Sequence, residues 1–324
     1  MSISQTPPAS NLWEQTPSKS GLVHVTPNHY LHTTISGPLR LPTQPLVIII
    51  PGLSASASEW AAVTRLASSF ARVLLYNRSG YGLSSESSNP ITAVSIATEL
   101  SDLLHTADLS GPYVIVCHSW GGIIAREFLH LRRDDVAGMV FVDANQEINT
   151  TDDPWPDPYV KALGKGLNIL SVTGISENHK LSLEEWRAYL DEERTEKHAR
   201  VAAAEFAGYR ESGPVLATKK QLEAEHELLG NRPVSVLAGR AVRDFERIFE
   251  AGIRAGNGTE EERRLFREML EMYEGRDDRW QRETLKLSTK GRWKVARESG
   301  HNVQLTEPEV VVGELRWVLD NLAD

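Results

Sequence analysis

Apolar residues along this chain fall into two spacings. Short continuous runs occur at Pro45-Leu-Val-Ile-Ile-Ile-Pro51, Val73-Leu-Leu-Tyr76, Tyr113-Val-Ile-Val-Cys117 and Gly138-Met-Val-Phe-Val-Asp143. Runs of this length, rich in β-branched residues, read as strands buried on both faces. Between them the apolar positions recur at helical spacing. Glu59 to Phe70 is one such stretch, Ile91 to Ala107 (Val94, Ile96, Ala97, Leu100, Leu103, Leu104) is a second, and Trp120 to His130 is a third. Upstream, Leu22 to Ser36 predicts two short strands around the turn signal Pro27-Asn28. Alternation of strand and helix predicts a mostly parallel, doubly wound α/β sheet with helices on both faces.

The alternation breaks after residue 147. Residues 148–230 carry no strong strand, and Leu181 to Arg210 and Thr218 to Leu229 read as charged amphipathic helices. Asp153 to Pro158 reads as a rigid proline loop. Pro233 to Ala238 and Arg292 to Ala296 restore the strand pattern, with a second helical stretch at 244–288 between them and a closing helix from Pro308 to Leu322. The expected organisation is a core of residues 21–147 and 231–324, a helical cap over 148–230, a second helical insertion at about 244–288 and a flexible extension over 1–20.

Composition narrows the function classes. A chain of 324 residues, 40% hydrophobic and 24% charged, is long enough for one large α/β domain with an insertion or for two ordinary domains. The net charge of −9 disfavours a nucleic-acid partner, which asks for a basic face. The single cysteine, Cys117, allows no intramolecular disulfide and fits a reducing compartment. The start of the chain lacks a secretory pattern, and no apolar run reaches the roughly 18 residues of a membrane span. A cytoplasmic protein with no membrane partner is the expectation. His179, His198 and His226 lack metal-ligand spacing and read as surface residues of the cap, so neither metal nor organic cofactor is implied.

The segment with the strongest chemical signal is Cys117-His118-Ser119-Trp120-Gly121, where a buried strand meets a helix without a linker. A sharp strand-to-helix turn strains its central residue, exposes that side chain and demands small residues two positions to either side. Gly121 meets the demand, and Cys117 replaces the usual glycine with the next small residue. The N–H of Trp120, at the helix start, is placed to meet a developing oxyanion, helped by the helix dipole. His118, adjacent to the serine, points elsewhere at such an elbow and reads as packing.

With these residues the chain resembles the α/β-hydrolase superfamily over about residues 22–147 and 232–322. Pro51-Gly52-Leu53 falls where that family places its second oxyanion donor, so the resemblance implies the N–H of Leu53 in that role, with Pro51 a departure from the usual histidine. Asn77-Arg78-Ser79-Gly80-Tyr81-Gly82-Leu83-Ser84 looks like the family's D-R-x-G-x-G-x-S turn, with Asn for Asp, and reads as structural. Ser299-Gly300-His301-Asn302 follows the last strand, where the family carries its catalytic histidine. An imidazole near its ordinary pKa can take the Ser119 proton and return it to the leaving group. The family sets the acid after the sixth or seventh strand. Asp143 after the sixth is preferred. Asp244 after the seventh falls late and reads as a helix N-cap, and Glu147 ranks third.

The resemblance implies a serine hydrolase whose Ser119, His301 and Asp143 form a triad, with Leu53 and Trp120 as the oxyanion hole. The substrate is then a small-molecule ester, lactone or thioester of modest size. Trp155, Trp186, Tyr189, Phe206 and Tyr209 are candidate pocket residues of the cap. Phe245, Phe249, Phe266 and Met269 of the second stretch either join the lid or pack outside it. Two further classes share the fold: a non-hydrolytic or C–C cleaving enzyme (lyase, cyclase or acyltransferase), and a binding protein without turnover.

Overall fold

The computed structural model describes residues 11–151, 157–223 and 228–322. Among these, eight strands form one sheet: β1 (Ser18–Thr26), β2 (His29–Ser36), β3 (Leu46–Ile50), β4 (Arg72–Tyr76), β5 (Tyr113–His118), β6 (Val136–Val142), β7 (Val234–Ala238) and β8 (Gly291–Val295). Their spatial order is β1-β2-β4-β3-β5-β6-β7-β8. The pairs β1/β2 and β2/β4 are antiparallel, and every pairing from β4 to β8 is parallel.

Four α-helices of the described residues precede β6: α1 (Leu12–Gln15) before β1, then α2 (Ala61–Ala67), α3 (Ala93–Thr106) and α4 (Gly121–Leu131) between strands. Between β6 and β7 run α5 (Ile148–Thr151), α6 (Pro158–Leu163), α7 (Ile169–Val172), α8 (Ile175–Asn178), α9 (Leu183–Glu193) and α10 (Glu196–Ala217). The β7–β8 connection carries α11 (Ala241–Arg254) and α12 (Glu260–Glu283), and α13 (Val303–Thr306) and α14 (Pro308–Asp320) close the chain.

Strand periodicity explains the continuous apolar runs. Ile48, Ile50, Ile115 and Cys117 face one side, where they pack with Leu100, Leu103, Ile123 and Phe128 of α3 and α4. Val47, Ile49, Val114 and Val116 face the other, against Val63 of α2 and Val311 and Leu315 of α14. Each such aliphatic side chain contributes about 1.5–3 kcal/mol when fully buried, so both faces of every central strand must be apolar. No helix among the described residues is long and apolar enough to cross a membrane.

Three expectations need correction. Residues 11–20 are not a loose extension: α1 and the start of β1 fall there. The reason is Arg72 on β4, whose guanidinium donates to the carbonyls of Trp13 (2.6 Å), Thr16 (2.6 Å), Pro17 (3.1 Å) and Gly37 (2.9 Å). The helix expected to end at Arg210 continues through Pro214 to Ala217. The helix expected from Thr218 does not form over the described residues 218–223, where Lys220 takes a left-handed φ of 51° that ends regular structure. Residues 1–10, Asp153 to Pro156, Trp155 and His226 lie outside the described residues.

Candidate active site

Ser119 stands between the end of β5 and the start of α4 with φ of 52°, a left-handed conformation costly for a residue with a Cβ. The crowding that sharp turns impose is visible at Gly121, where an added Cβ would meet the Ile50 carbonyl oxygen at 2.5 Å. Cys117 fits its place as a fully buried residue of β5, and burial pushes its thiol pKa well up. In the resting arrangement the Ser119 hydroxyl donates to Asn145 Oδ1 at 3.2 Å.

His301 sits in the loop between β8 and α13. Its Nδ1 lies 2.6 Å from Asp143 Oδ2. Asp143, at the end of β6, has a φ of 39° and is buried. Its other oxygen, Oδ1, accepts from the Gly239 N–H and from Gln281 Nε2, each at 2.8 Å. Burial alone would raise the Asp143 pKa; the His301 hydrogen bond and charge, with Gln281 and Gly239, bring it below the usual carboxylate value. For His301 burial works downward, but the hydrogen bond and charge of Asp143, with the charges of Asp244 and Asp277, leave its pKa raised.

Asp244 is not an N-cap. It lies in the first turn of α11, whose N-cap is Arg240, and its Oδ2 accepts the backbone N–H of His301 at 2.8 Å. Asp143 and Asp244 thus hold the same histidine by different atoms, ring and backbone. Glu147 is engaged elsewhere, in an ion pair with Arg126. His118 is buried, with Nε2 at 3.0 Å from the His301 carbonyl and its ring edge-on to Trp60. Burial, then the charge of His301, press its pKa down to about 3, so it stays neutral.

Ser119, His301 and Leu53 line one cavity of about 340 Å³. Phe206 and Tyr209 reach it from α10. The β7–β8 helices form much of the rest, through Phe245 and Ile248 of α11 and Met269, Tyr273, Asp277 and Trp280 of α12. Phe249 and Phe266 pack instead in an apolar cluster with Val160 and Leu163. Trp186 and Tyr189 pack with Ile175 and Leu181 in another cluster and do not line the cavity. Glu59 does line it, bonded to Gln304 Nε2 at 3.1 Å, and burial pushes its pKa up to about 7.

His198 is a buried residue, against the expectation of a surface one: its Nε2 is 3.1 Å from Glu193 Oε1 and its ring is edge-on to Tyr81. His179 stacks on Trp186 at 4.0 Å. Asn145, Gln281, Asp277 and Glu59 escaped the sequence reading. For Asp277 a signal existed. Met269, Tyr273, Arg276, Asp277 and Trp280 fall on one helical stripe, and all line the cavity.

A mostly parallel sheet carrying a strained serine at a strand-to-helix turn after β5, with an acid after β6 and a histidine after β8, matches an α/β-hydrolase fold. The chain belongs to the alpha/beta hydrolase family, whose model matches residues 47–314. It is 34% identical to an AB hydrolase superfamily protein of Gibberella zeae, over 96% of this chain and 98% of that one. Among solved structures it resembles the serine hydrolase CarC, involved in carbazole degradation, at 14% identity and a TM-score of 0.61, covering 94% of this chain and 99% of that one. It also resembles a thermophilic esterase from Thermogutta terrifontis, at 16% identity and a TM-score of 0.54, covering 94% and 100% of the two chains. At these identities the solved structures speak for the fold alone.

Proposed function

We propose that the protein is a serine hydrolase that cleaves a small to medium carboxylic ester, lactone or thioester through an acyl-enzyme on Ser119. The observation that carries this reading is the 2.6 Å contact between His301 Nδ1 and Asp143 Oδ2 at the cavity that the strained Ser119 also lines. With Nδ1–H donating to the carboxylate, Nε2 is left as the proton acceptor. Ser119 turns from Asn145 to His301, loses its proton to Nε2 and attacks the carbonyl carbon. The N–H groups of Leu53 and Trp120 receive the oxyanion. The imidazolium, stabilised by Asp143, protonates the leaving group, and water cleaves the acyl-enzyme by the same route. In this reading the helices of 148–217 and 241–283 act as a cap that sets the substrate.

The test is a fluorophosphonate probe, with the adduct mapped by mass spectrometry, alongside p-nitrophenyl acetate turnover. The expected result is a single adduct on Ser119 and loss of both signals in Ser119→Ala. Wild-type turnover in that variant, or neither labelling nor turnover in the native protein, overturns the reading.

A further inference from the structure

The mechanism above makes no use of Asp277. It lies on α12, one turn before Gln281, partly exposed to the cavity that Ser119 and His301 line. Gln281 Nε2 stands 2.7 Å from Asp277 Oδ2 and 2.8 Å from Asp143 Oδ1. One amide nitrogen therefore ties two carboxyl groups together. Two carboxylates sharing a buried site repel, and a proton on one of them relieves this. Asp143 is committed to its charge by His301, the Gly239 N–H and Gln281.

Asp277 faces Asp143 from β6, His301 from the loop after β8, and Asp278 and Arg276 of its own helix, with Asp244 of α11 on the same cavity. Burial first, then the charge of Asp143, push its pKa up to about 7. The wall around it is largely apolar: Tyr273, Trp280, Met269, Phe245 and Ile248. A hydrogen-bond donor set in such a wall discriminates strongly against a ligand that lacks the matching acceptor.

Resting on the esterase reading, we propose that Asp277 is a specificity-determining residue: held at the cavity wall by Gln281, it presents a carboxylic O–H to an acceptor oxygen of the substrate away from the scissile bond. The pocket then favours oxygenated acyl compounds over hydrocarbon ones of the same length.

The experiment compares p-nitrophenyl hexanoate with its keto analogues, at about pH 6 and about pH 8.5, either side of the ionisation of a carboxyl perturbed to neutrality. The native enzyme is expected to favour at least one keto ester in kcat/KM by about tenfold or more at the lower pH, and less at the higher. Asp277→Asn, which cannot ionise, keeps the preference at both, and Asp277→Leu abolishes it. A preference that survives Asp277→Leu, or that ignores pH in the native enzyme, overturns the proposal. A second readout needs no turnover: the infrared difference between the native protein and Asp277→Asn, expected to hold a protonated-carboxyl band below neutrality that Glu59, common to both proteins, does not supply. If no ester is cleaved, the esterase reading falls, and the infrared band still decides the state of Asp277. An identical band in both proteins overturns the proposal.

Discussion

Arg78 and Glu205 meet as a buried two-point ion pair, Nε to Oε1 at 2.7 Å and Nη2 to Oε2 at 3.0 Å. Arg78 belongs to the glycine-rich turn after β4, and Glu205 to α10 of the insertion. The guanidinium also donates to the carbonyls of Pro51 (2.9 Å) and Gly52 (2.7 Å), and Glu205 Oε2 accepts from the Ser54 N–H (2.8 Å) and the Tyr81 hydroxyl (2.9 Å). The loop carrying Leu53 is thereby gripped from both sides, by sheet and insertion at once.

Removing one partner leaves a buried charge unpaired, at a cost of about 3–5 kcal/mol. Glu205→Ala is therefore expected to lower stability by that order in chemical denaturation. A double change to apolar residues, Arg78→Met with Glu205→Leu, recovers much of the stability, because no charge is left stranded. It does not recover ester turnover, because the Pro51 and Gly52 carbonyls still lack their donor. Equal recovery of both would show that the ion pair does not set the loop.

The two carboxylates that hold His301 are separable by substitution. Asp143→Asn removes the charge beside His301 and, with its amide oxygen kept by Gly239 and Gln281, turns an N–H toward Nδ1 that favours the wrong tautomer, so it is expected to cost about 10²-fold or more in kcat. Asp244→Asn keeps an oxygen that can accept the His301 N–H, so its loss is expected to stay within about tenfold. Steady-state kinetics on one aryl ester decide the matter, and a larger loss for Asp244→Asn reverses the two roles.

In the proposed mechanism the raised pKa of His301 sets the acidic limb of the rate profile. The base must be neutral, so kcat/KM is expected to climb with pH through an apparent pKa above the ordinary histidine value of 6.5. Removing the Asp143 charge moves that limb to lower pH in the residual activity of Asp143→Asn. The stability effect has a definite sign. The charged imidazole stabilises the folded state fully below the unfolded pKa of about 6.5, and this contribution fades as pH rises through the higher native value. The stability gap between the native protein and His301→Gln is therefore expected to narrow as pH rises above about 6.5. A gap that widens over that range contradicts the interaction.

Local signals made most of the fold legible. A run such as Leu46–Ile50 admits one environment, burial on both faces, and five residues suffice to read it. The strand-to-helix turn at Ser119 is likewise local. What was not legible depends on contacts remote in sequence. Nothing around residues 11–20 announces that Arg72 will bind their carbonyls. Asp143 and Asp244 both follow strands at one edge of the sheet, and spacing does not decide which reaches the ring and which the backbone of His301. The α12 stripe from Met269 to Trp280 was readable as a face, but its neighbour was not, because a long charged helix can lie over many surfaces. Gln281 carried no signal: an amide in a polar helix becomes significant only beside Asp143 and Asp277.

The strain at Ser119 yields a prediction in which stability and activity move in opposite directions. A left-handed φ costs a residue with a Cβ about 1–2 kcal/mol, and glycine escapes that cost. Ser119 holds φ of 52° in a crowded turn, where a Cβ added at Gly121 would meet the Ile50 carbonyl oxygen. Ser119→Gly is therefore expected to abolish ester turnover while raising stability by about 1 kcal/mol, the entropy of a freer unfolded chain taking back part of the gain. Ser119→Ala abolishes turnover as well but retains the Cβ and hence the strain, so its denaturation midpoint stays near or below that of the native protein. Comparing the two variants by chemical denaturation isolates the backbone term, since both lack the hydroxyl and its bond to Asn145. Equal midpoints for the two would mean that the turn bears no strain and that the elbow costs the fold nothing.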